Sequence, residues 1–393
     1  MNKVRLLCVS DLHCHHGKSS ATIDSHLTTE KPRSPSLDHP VEALTDILAD
    51  KLRGNVDYLL SPGDITNKTD PQGFISGWGF LEEISKLSRA RQIIATIGNH
   101  DTDSKKIHSR DDMYSLPQSI GKDFPFTNEV SRNQFWTKGY VFKEYANLRV
   151  LVINSAKFHI DKANQNRGKI TVSQIQEIAS YMERQNKRKV SVALCHHHPV
   201  SYNFPDARPT DQFTNGPSLL KALARARFDL FIHGHKHYPN LSYFDSDSDR
   251  IPVLSCASFS ARNSLMMQGV VNAVHLIEIC QSQSGVTKGT IRTWEYLEQI
   301  GWRAASAGVP NLPHLTGFGS CISIEELSSE VASLALGKGL QVWADYLREI
   351  PDLAYLTPSG QVKLDNILED KYKLRVLYDR QISPDSIRKI YQP

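Results

Sequence analysis

Five short motifs occur in a fixed order along the chain, each where an apolar, strand-like run ends. They are Asp11-Leu12-His13, Gly63-Asp64, Gly98-Asn99-His100-Asp101, His196-His197-His198-Pro199 and Gly234-His235-Lys236-His237. Singly most of them say little, because Asp-x-His and Gly-Asp triplets and pairs are frequent in surface turns. Jointly they constrain the fold, which must bring five distant strand ends to one place.

The runs between the motifs alternate in type. Val4 to Ser10 reads as a buried strand. Val41 to Arg53 places Val41, Leu44, Ile47, Leu48 and Leu52 at helical spacing, and Val56 to Ser61 is a second strand. Trp78, Leu81, Ile84 and Leu87 mark another helix, and Gln92 to Ile97 a third strand. This βαβαβ opening predicts parallel strands joined by helical crossovers. Tyr140 to Tyr145 and Leu148 to Asn154 then read as an antiparallel hairpin. Thr171 to Asn186 is a helix capped by Thr171 or Ser173, Lys189 to Cys195 a strand, Ser218 to Ala226 a helix, and Asp229 to Ile232 a strand. Pro252 to Ser258, Val270 to Cys280 and Gly289 to Tyr296 add late strands. The expected class is α/β, with two mixed sheets face to face and helices outside.

Two segments, Gly17 to Pro40 and Thr102 to Asn133, are polar and irregular and follow the first and third motifs. Loops of that length are often lids or binding loops, disorder being the alternative. Beyond about Ile300 the pattern changes. Glu325 to Glu349 is mostly helical, weakened by Gly337 and Gly339, and Lys363 to Tyr378 is a further helix candidate. Gly308 to Gly319 reads as a linker. The expected division is a catalytic domain over 1–300 and a small, mainly helical appendage over 301–393. Trp302, Trp343, Tyr346 and Tyr355 in the latter are expected to be core. The alternative is a docking face for a protein partner or a second copy.

The chain has 393 residues and a formal net charge of only +4, which permits an anionic substrate without marking a dedicated nucleic-acid binder. The six cysteines form no CxxC pair and read as free thiols of a reducing compartment. No apolar run approaches the roughly 18 residues that span a bilayer, and the N-terminus does not read as a signal peptide. A cytoplasmic protein without a membrane partner is expected.

The motif side chains suit metal ions. Asp11 and His13, like His235 and His237, are two apart, so in an extended chain both members of each pair face the same way. Asp64 offers two carboxylate oxygens that can bridge two ions, Asn99 a neutral amide oxygen, and His196 an imidazole at a strand end. Mixed His/Asp/Asn donors suit Mn, Fe, Zn or similar ions rather than a closed structural zinc site. Two adjacent metals are a common means of cleaving phosphate esters.

The motif set resembles the signature of the calcineurin-like metallophosphoesterase superfamily: DxH, GDxx, GNHD or GNHE, a strand-ending His, and GHxH. The resemblance covers roughly Met1 to Tyr296. The triple histidine before Pro199 and the Gly63-Asp64-Ile65-Thr66 block are most similar to its cyclic-nucleotide phosphodiesterase branch. The resemblance implies a four-layer α-β-β-α sandwich with two divalent or trivalent ions (Mn, Fe or Zn). By motif position, Asp11, His13, Asp64 and His237 would hold one ion, and Asp64, Asn99, His196 and His235 the other. His197 is the next choice should His196 not be the ligand. His100 would be the acid or transition-state stabiliser, with Asp101 as its orienting partner. His15, His16, His108, His159 and His233 match no block.

The implied chemistry is in-line attack on phosphorus by a hydroxide shared between the metals, with His100 protonating the leaving oxygen. A phosphodiester of a small or cyclic nucleotide is the first expected substrate. A DNA or RNA nuclease acting with a partner is second, with Lys105, Lys106 and Arg110 as backbone contacts, and a phosphoprotein phosphatase is third. A regulatory or interaction protein that docks through its C-terminal segment is the alternative of another class.

Overall fold

A computed structural model describes residues 2–17, 25–49, 56–104, 112–119, 123–159, 166–185, 188–201, 211, 213–262, 269–306, 312–379 and 384–389. The opening βαβαβ unit forms as expected: β1 (Asn2–Cys8), α1 (Pro40–Ile47), β2 (Tyr58–Ser61), α2 (Pro71–Ser88) and β3 (Ile93–Ala95). Strands β1, β2 and β3 are parallel neighbours, with Leu6 opposite Tyr58 and Leu60 opposite Ile94. Helix α2 starts sharply because Asp70 accepts the Gly73 N–H and Pro71 fills the first helical position.

After α3 (Ser115–Ser119) and α4 (Glu129–Lys138) comes the hairpin of β4 (Tyr140–Glu144) and β5 (Leu148–Ile153). Helix α5 (Val172–Glu183) carries the expected Thr171 cap as a full capping box with Gln174. Then follow β6 (Val190–Leu194), α6 (Gly216–Arg225), β7 (Leu230–His233), β8 (Asn240–Ser246) and β9 (Asp249–Ser255). Strand β8 was not foreseen. It pairs antiparallel with β9 as a hairpin edge, and its half-exposed polar positions give it no apolar run. The order in this six-stranded sheet is β4-β5-β6-β7-β9-β8.

The other sheet is completed by β10 (Asn272–Gln281), β11 (Thr287–Leu297), β12 (Gly301–Ala304) and β13 (Leu315–Phe318). Its order is β12-β11-β10-β1-β2-β3, with β13 also on β11. The boundary expected at residue 300 therefore cuts through a sheet. Trp302 pairs with Tyr296 and Thr316 with Ile291, so residues 301–304 and 315–318 belong to the larger body. Their strands are four residues long and rich in glycine, too short to show a period.

Residue parity shows the layering. In β5, β6 and β7, Val150, Val152, Val192, Leu194, Leu230 and Ile232 join the core between the sheets. The alternate residues Leu151, Ile153, Ala193 and Phe231 pack instead with Ile175 and Ile178 of α5 and Leu219, Leu220 and Leu223 of α6. Leu44, Leu81 and Ile84 of α1 and α2 extend the first core. The fold is the four-layer α-β-β-α sandwich.

The C-terminal part holds α7 (Ile324–Ala335), β14 (Gln341–Val342), α8 (Trp343–Glu349), α9 (Pro358–Tyr372), β15 (Leu374–Tyr378) and β16 (Pro384–Lys389). It is mainly helical, with a three-stranded sheet in the order β14-β16-β15. The helix expected over 363–378 ends at Tyr372, where Lys373 turns left-handed and the chain becomes β15. Gly337, at φ +74°, follows the end of α7 and breaks the long helical pattern. Trp343 and Tyr346 are buried in a separate core with Leu327, Val331 and Leu364, while Trp302 belongs to the main core. Of the linker expected over Gly308 to Gly319, residues 308–311 lie outside the described ones, and Leu315–Phe318 form β13. The Lys288–Asp352 ion pair at 2.6 Å and the Gly319 N–H donated to Tyr243 Oη at 2.7 Å join the two cores.

Candidate metal centre

The five motifs sit at the carboxyl ends of β1, β2, β3, β6 and β7, parallel strands drawn from both sheets. Loops leaving β1 and β2 run side by side, with Asp11 N–H donated to Gly63 O at 3.1 Å and His13 N–H to Asp64 O at 3.0 Å. The extended pairing expected for Asp11 with His13, and for His235 with His237, is not how they converge. Asp11, His13, Asp64, His235 and His237 all have left-handed backbones, with φ of 52°, 47°, 52°, 72° and 54°. Non-glycine residues adopt this region rarely and at a cost, so neighbouring contacts must hold it. Ser258 Oγ donates to Asp11 O at 2.6 Å, and Ser260 and Ser25 donate to Leu12 O at 2.6 and 2.9 Å. These three buried serines were not marked by the sequence reading.

The side chains meet in two overlapping groups. Asp11 Oδ1 lies 3.4 Å from His237 Nε2 and 3.8 Å from His13 Nε2. The His13 and His237 Nε2 atoms are 2.9 Å apart. In the second group, Asn99 Oδ1 is 3.1 Å from His196 Nε2 and 2.9 Å from His235 Nδ1. Asp64 Oδ2 stands between them, 3.5 Å from His13 Nε2 and 3.2 Å from His196 Nε2. Clusters of ring nitrogens and carboxylate oxygens this close, with Asp11, Asp64 and His196 almost wholly buried, fit two cations with Asp64 shared.

Glycine is required beside Asp64. A Cβ on Gly98 would stand 2.1 Å from Asp64 Oδ1 and 2.7 Å from His196 Cε1. Gly63, at φ +104°, lets the β2 loop pass against Gly98, whose nitrogen a Cβ there would meet at 2.6 Å.

The family model for calcineurin-like phosphoesterases matches residues 4–239. The chain belongs to that family. Members use a dinuclear metal centre, and the His/Asp groups around Asp64 could hold its ions in this phosphoesterase. No curated protein matches the chain. Among solved structures, a dimetal phosphatase from Danio rerio is 12% identical, with a TM-score of 0.45 over 75% of this chain and 97% of that one. A purple acid phosphatase from yellow lupin (Lupinus luteus) seeds is 12% identical, with a TM-score of 0.49 over 79% and 56%. The phosphopantetheinyl hydrolase of Mycobacterium tuberculosis is 13% identical, with a TM-score of 0.37 over 65% and 90%.

In the phosphoesterase, His100 N–H donates to Asp64 Oδ1 at 2.8 Å, and the His100 ring packs edge-on to His13 with centroids 4.6 Å apart. The expected partner of this ring, Asp101, is not beside it. Asp101 Oδ1 accepts the Thr66 N–H and Oδ2 the Gly98 N–H, at 3.0 and 2.8 Å. It therefore ties together the loops leaving β2 and β3. Asn67 takes the expected position, its side-chain amide 2.9 Å from His100 Nδ1, and the Lys68 N–H donates to the same nitrogen at 3.1 Å, so Nδ1 is an acceptor and Nε2 carries the proton of the neutral ring. Asn67 lies three residues past Asp64, and that proximity was its only sequence signal.

The electrostatics favour cations. Burial opposes charge on Asp11, but hydrogen bonds to His13 and His237 outweigh it and hold the carboxyl well below its ordinary range. Asp64 is likewise held down despite burial, chiefly through its attraction to and hydrogen bond with His196. Burial, reinforced by Asp64, pushes the Asp101 carboxyl up to about 7. Burial brings His100 down to about 3, so its ring is neutral at ordinary pH.

Other residues of the phosphoesterase frame the site. His196 Nδ1 is 3.0 Å from Pro62 O, which leaves Nε2 for the cluster and supports it over His197 as the strand-end donor. Lys236, between the two histidines of the last motif, pairs with the buried Asp211 at 2.8 Å. His159 and His233 are buried behind the site, and His15 beside it. His108, Lys105, Lys106 and Arg110 lie outside the described residues. Among those residues no helix is long and apolar enough to cross a membrane, and all six cysteines are free.

Proposed function

We propose that the chain is a dimetal phosphodiesterase of small or cyclic nucleotides. Asp11, His13, Asp64 and His237 would hold one ion, and Asp64, Asn99, His196 and His235 the other. The observation that carries the reading is the position of Asp64 Oδ2 between His13 and His196, next to a fixed His100. Bound ions supply Lewis acidity toward the phosphate oxygens and a nucleophile at neutral pH. The protein's own part is positioning. Left-handed loops preset the donors, Asp101 locks the two loops that carry Asp64 and Asn99, and Asn67 fixes the imidazole of His100. With Nδ1 accepting the Lys68 N–H beside the Asn67 amide, the neutral ring carries its proton on Nε2, the nitrogen that can meet the leaving oxygen and donate to it.

Two features support a diester over a monoester. The Gly63-Asp64-Ile65-Thr66 and triple-histidine blocks are those most similar to the cyclic-nucleotide branch. The Lys236 cation is also neutralised by Asp211, which suits a singly charged diester better than a dianionic monoester. The test compares bis(p-nitrophenyl) phosphate, 3′,5′- and 2′,3′-cyclic nucleotides, p-nitrophenyl phosphate and a single-stranded oligonucleotide, each with Mn²⁺. Faster turnover of the diesters, lost in His100→Ala, is expected. Preference for the monoester overturns the diester reading, and salt-sensitive cutting of the oligonucleotide points to a nuclease instead.

A further inference from the structure

The triple histidine contains a ring that the seven-residue ligand set leaves idle. His197 is fully buried. Its Nδ1 lies 2.8 Å from Ser155 Oγ, and that oxygen accepts the His197 main-chain N–H at 3.3 Å. An imidazole that gives its Nδ1–H to a hydroxyl keeps a lone pair on Nε2. That Nε2 is buried and has no hydrogen-bond partner among the described residues. A histidine with a purely packing role would leave this acceptor unsatisfied, which costs stability in a dry interior.

The lone pair has a destination. A ring nitrogen of His197 lies within 4.8 Å of ring nitrogens of both His196 and His235, and with Nδ1 engaged by Ser155 the available one is Nε2. The ring centroids of His197 and His235 are 4.7 Å apart, and those of His197 and His196 4.9 Å. The placement is built by several elements. A Cβ on Gly168 would come within 2.5 Å of His197 Cβ and 2.7 Å of its Cγ, so this strand-like crossing accepts only glycine beside the ring. Behind it, His159 packs edge-on at 4.9 Å and is itself anchored through Nε2 on Arg167 O at 3.0 Å.

We infer that His197 is a third imidazole donor to the second metal ion, beside His196 and His235, with Ser155 setting its tautomer. The inference rests on the dimetal reading above. Its consequence is an asymmetric pair of sites. The first offers two carboxylates and two imidazoles, while the second offers one carboxylate, one amide and three imidazoles. Nitrogen-rich sites favour Zn²⁺, Fe or Co²⁺ over Mn²⁺ and Mg²⁺, so the second site should be the more selective.

The test is titration of the metal-free, full-length protein with Co²⁺, following visible absorption bands and bound metal by native mass spectrometry. The wild type is expected to take two ions. In His197→Gln the second ion should bind about 10–100-fold more weakly, with its visible bands shifted. Ser155→Ala keeps the ring but frees its tautomer, and should weaken the same ion by a smaller factor. Thermal unfolding of the metal-free proteins checks that the variants fold. If His197→Gln does not, Ser155→Ala decides alone. Unchanged affinity and spectrum of the second ion in the folded variants would overturn the inference. A wild type that takes fewer than two ions overturns the dimetal reading itself, before any variant is compared.

Discussion

The Asn67 side-chain amide sits 2.9 Å from Nδ1 of His100 and holds that ring edge-on to His13. The contact joins the loop that follows β2 to the loop that follows β3, so the proton-handling group is fixed relative to Asp64 by a neighbour of Asp64. A neutral amide in this place orients the imidazole without adding a charge to it. Asn67→Ala should therefore lower kcat about tenfold, the loss of one oriented hydrogen bond, and leave KM within about twofold. His100→Ala should cost about 10²–10⁴-fold. Asn67→Asp should restore much of kcat and move the acidic limb of the pH–rate profile, because a carboxylate stabilises the imidazolium. Steady-state kinetics on a chromogenic diester separate these outcomes, and an unaffected kcat in Asn67→Ala would remove the residue from this role.

Among the described residues, Asp64 is the one carboxylate in contact with both donor groups. Its removal should cost both ions rather than one. Asp64→Ala is expected to retain less than one metal per chain by elemental analysis and to lose more than about 10²-fold in turnover. Chelation of the wild type should abolish activity, and Mn²⁺ should restore it. Full activity of Asp64→Ala with unchanged metal content would contradict the shared position.

Gly98 tests the same geometry from the backbone side. An added Cβ would overlap Asp64 Oδ1 at 2.1 Å, so Gly98→Ala must displace either the loop or the carboxylate. The cost expected is about 1–3 kcal/mol in unfolding free energy. Metal affinity should fall more steeply than stability, because the clash is with a donor atom. Urea unfolding and metal titration on one preparation compare the two losses. Wild-type metal binding in this variant would show that the Asp64 carboxylate tolerates movement.

The candidate site was legible because its signals are local. Each donor lies within a few residues of a strand end, and strand ends of a parallel sheet gather on one side. What escaped depends on contacts between distant segments. Asn67 takes the place expected for Asp101 because the loop after β3 folds back on the loop after β2, 33 residues away along the chain. No period or composition encodes that crossing. The left-handed backbones of Asp11 and His13 are imposed by Ser25, Ser258 and Ser260, which are remote in sequence. The domain edge was misplaced for a related reason. Residues 301–304 and 315–318 become strands only through pairing with β11, and residues 374–378 only through pairing with β16.

A last prediction concerns acid stability away from the metal centre. His275 is fully buried on β10, its Nε2 accepting the Ala257 N–H at 3.2 Å and its Nδ1 facing Thr293 Oγ1 at 3.0 Å. An imidazolium has no acceptor, so protonation breaks the bond from Ala257. Burial accordingly lowers the ring from 6.5 to about 4. The unfolded chain thus takes up this proton near pH 6.5, whereas the folded chain resists until near pH 4. Stability from the neutral ring is complete above pH 6.5 and falls as pH drops through that window, by about 3 kcal/mol. His275→Gln can accept from Ala257 and donate to Thr293 without titrating. Its unfolding free energy in urea should start below that of the wild type at pH 7 and close the gap by about 3 kcal/mol at pH 4, both proteins being held in chelator. Other buried imidazoles lowered in the same range, His39, His159 and His233, titrate in both proteins and cancel in the difference. A gap that stays constant from pH 7 to 4 would show that folding does not hold His275 neutral.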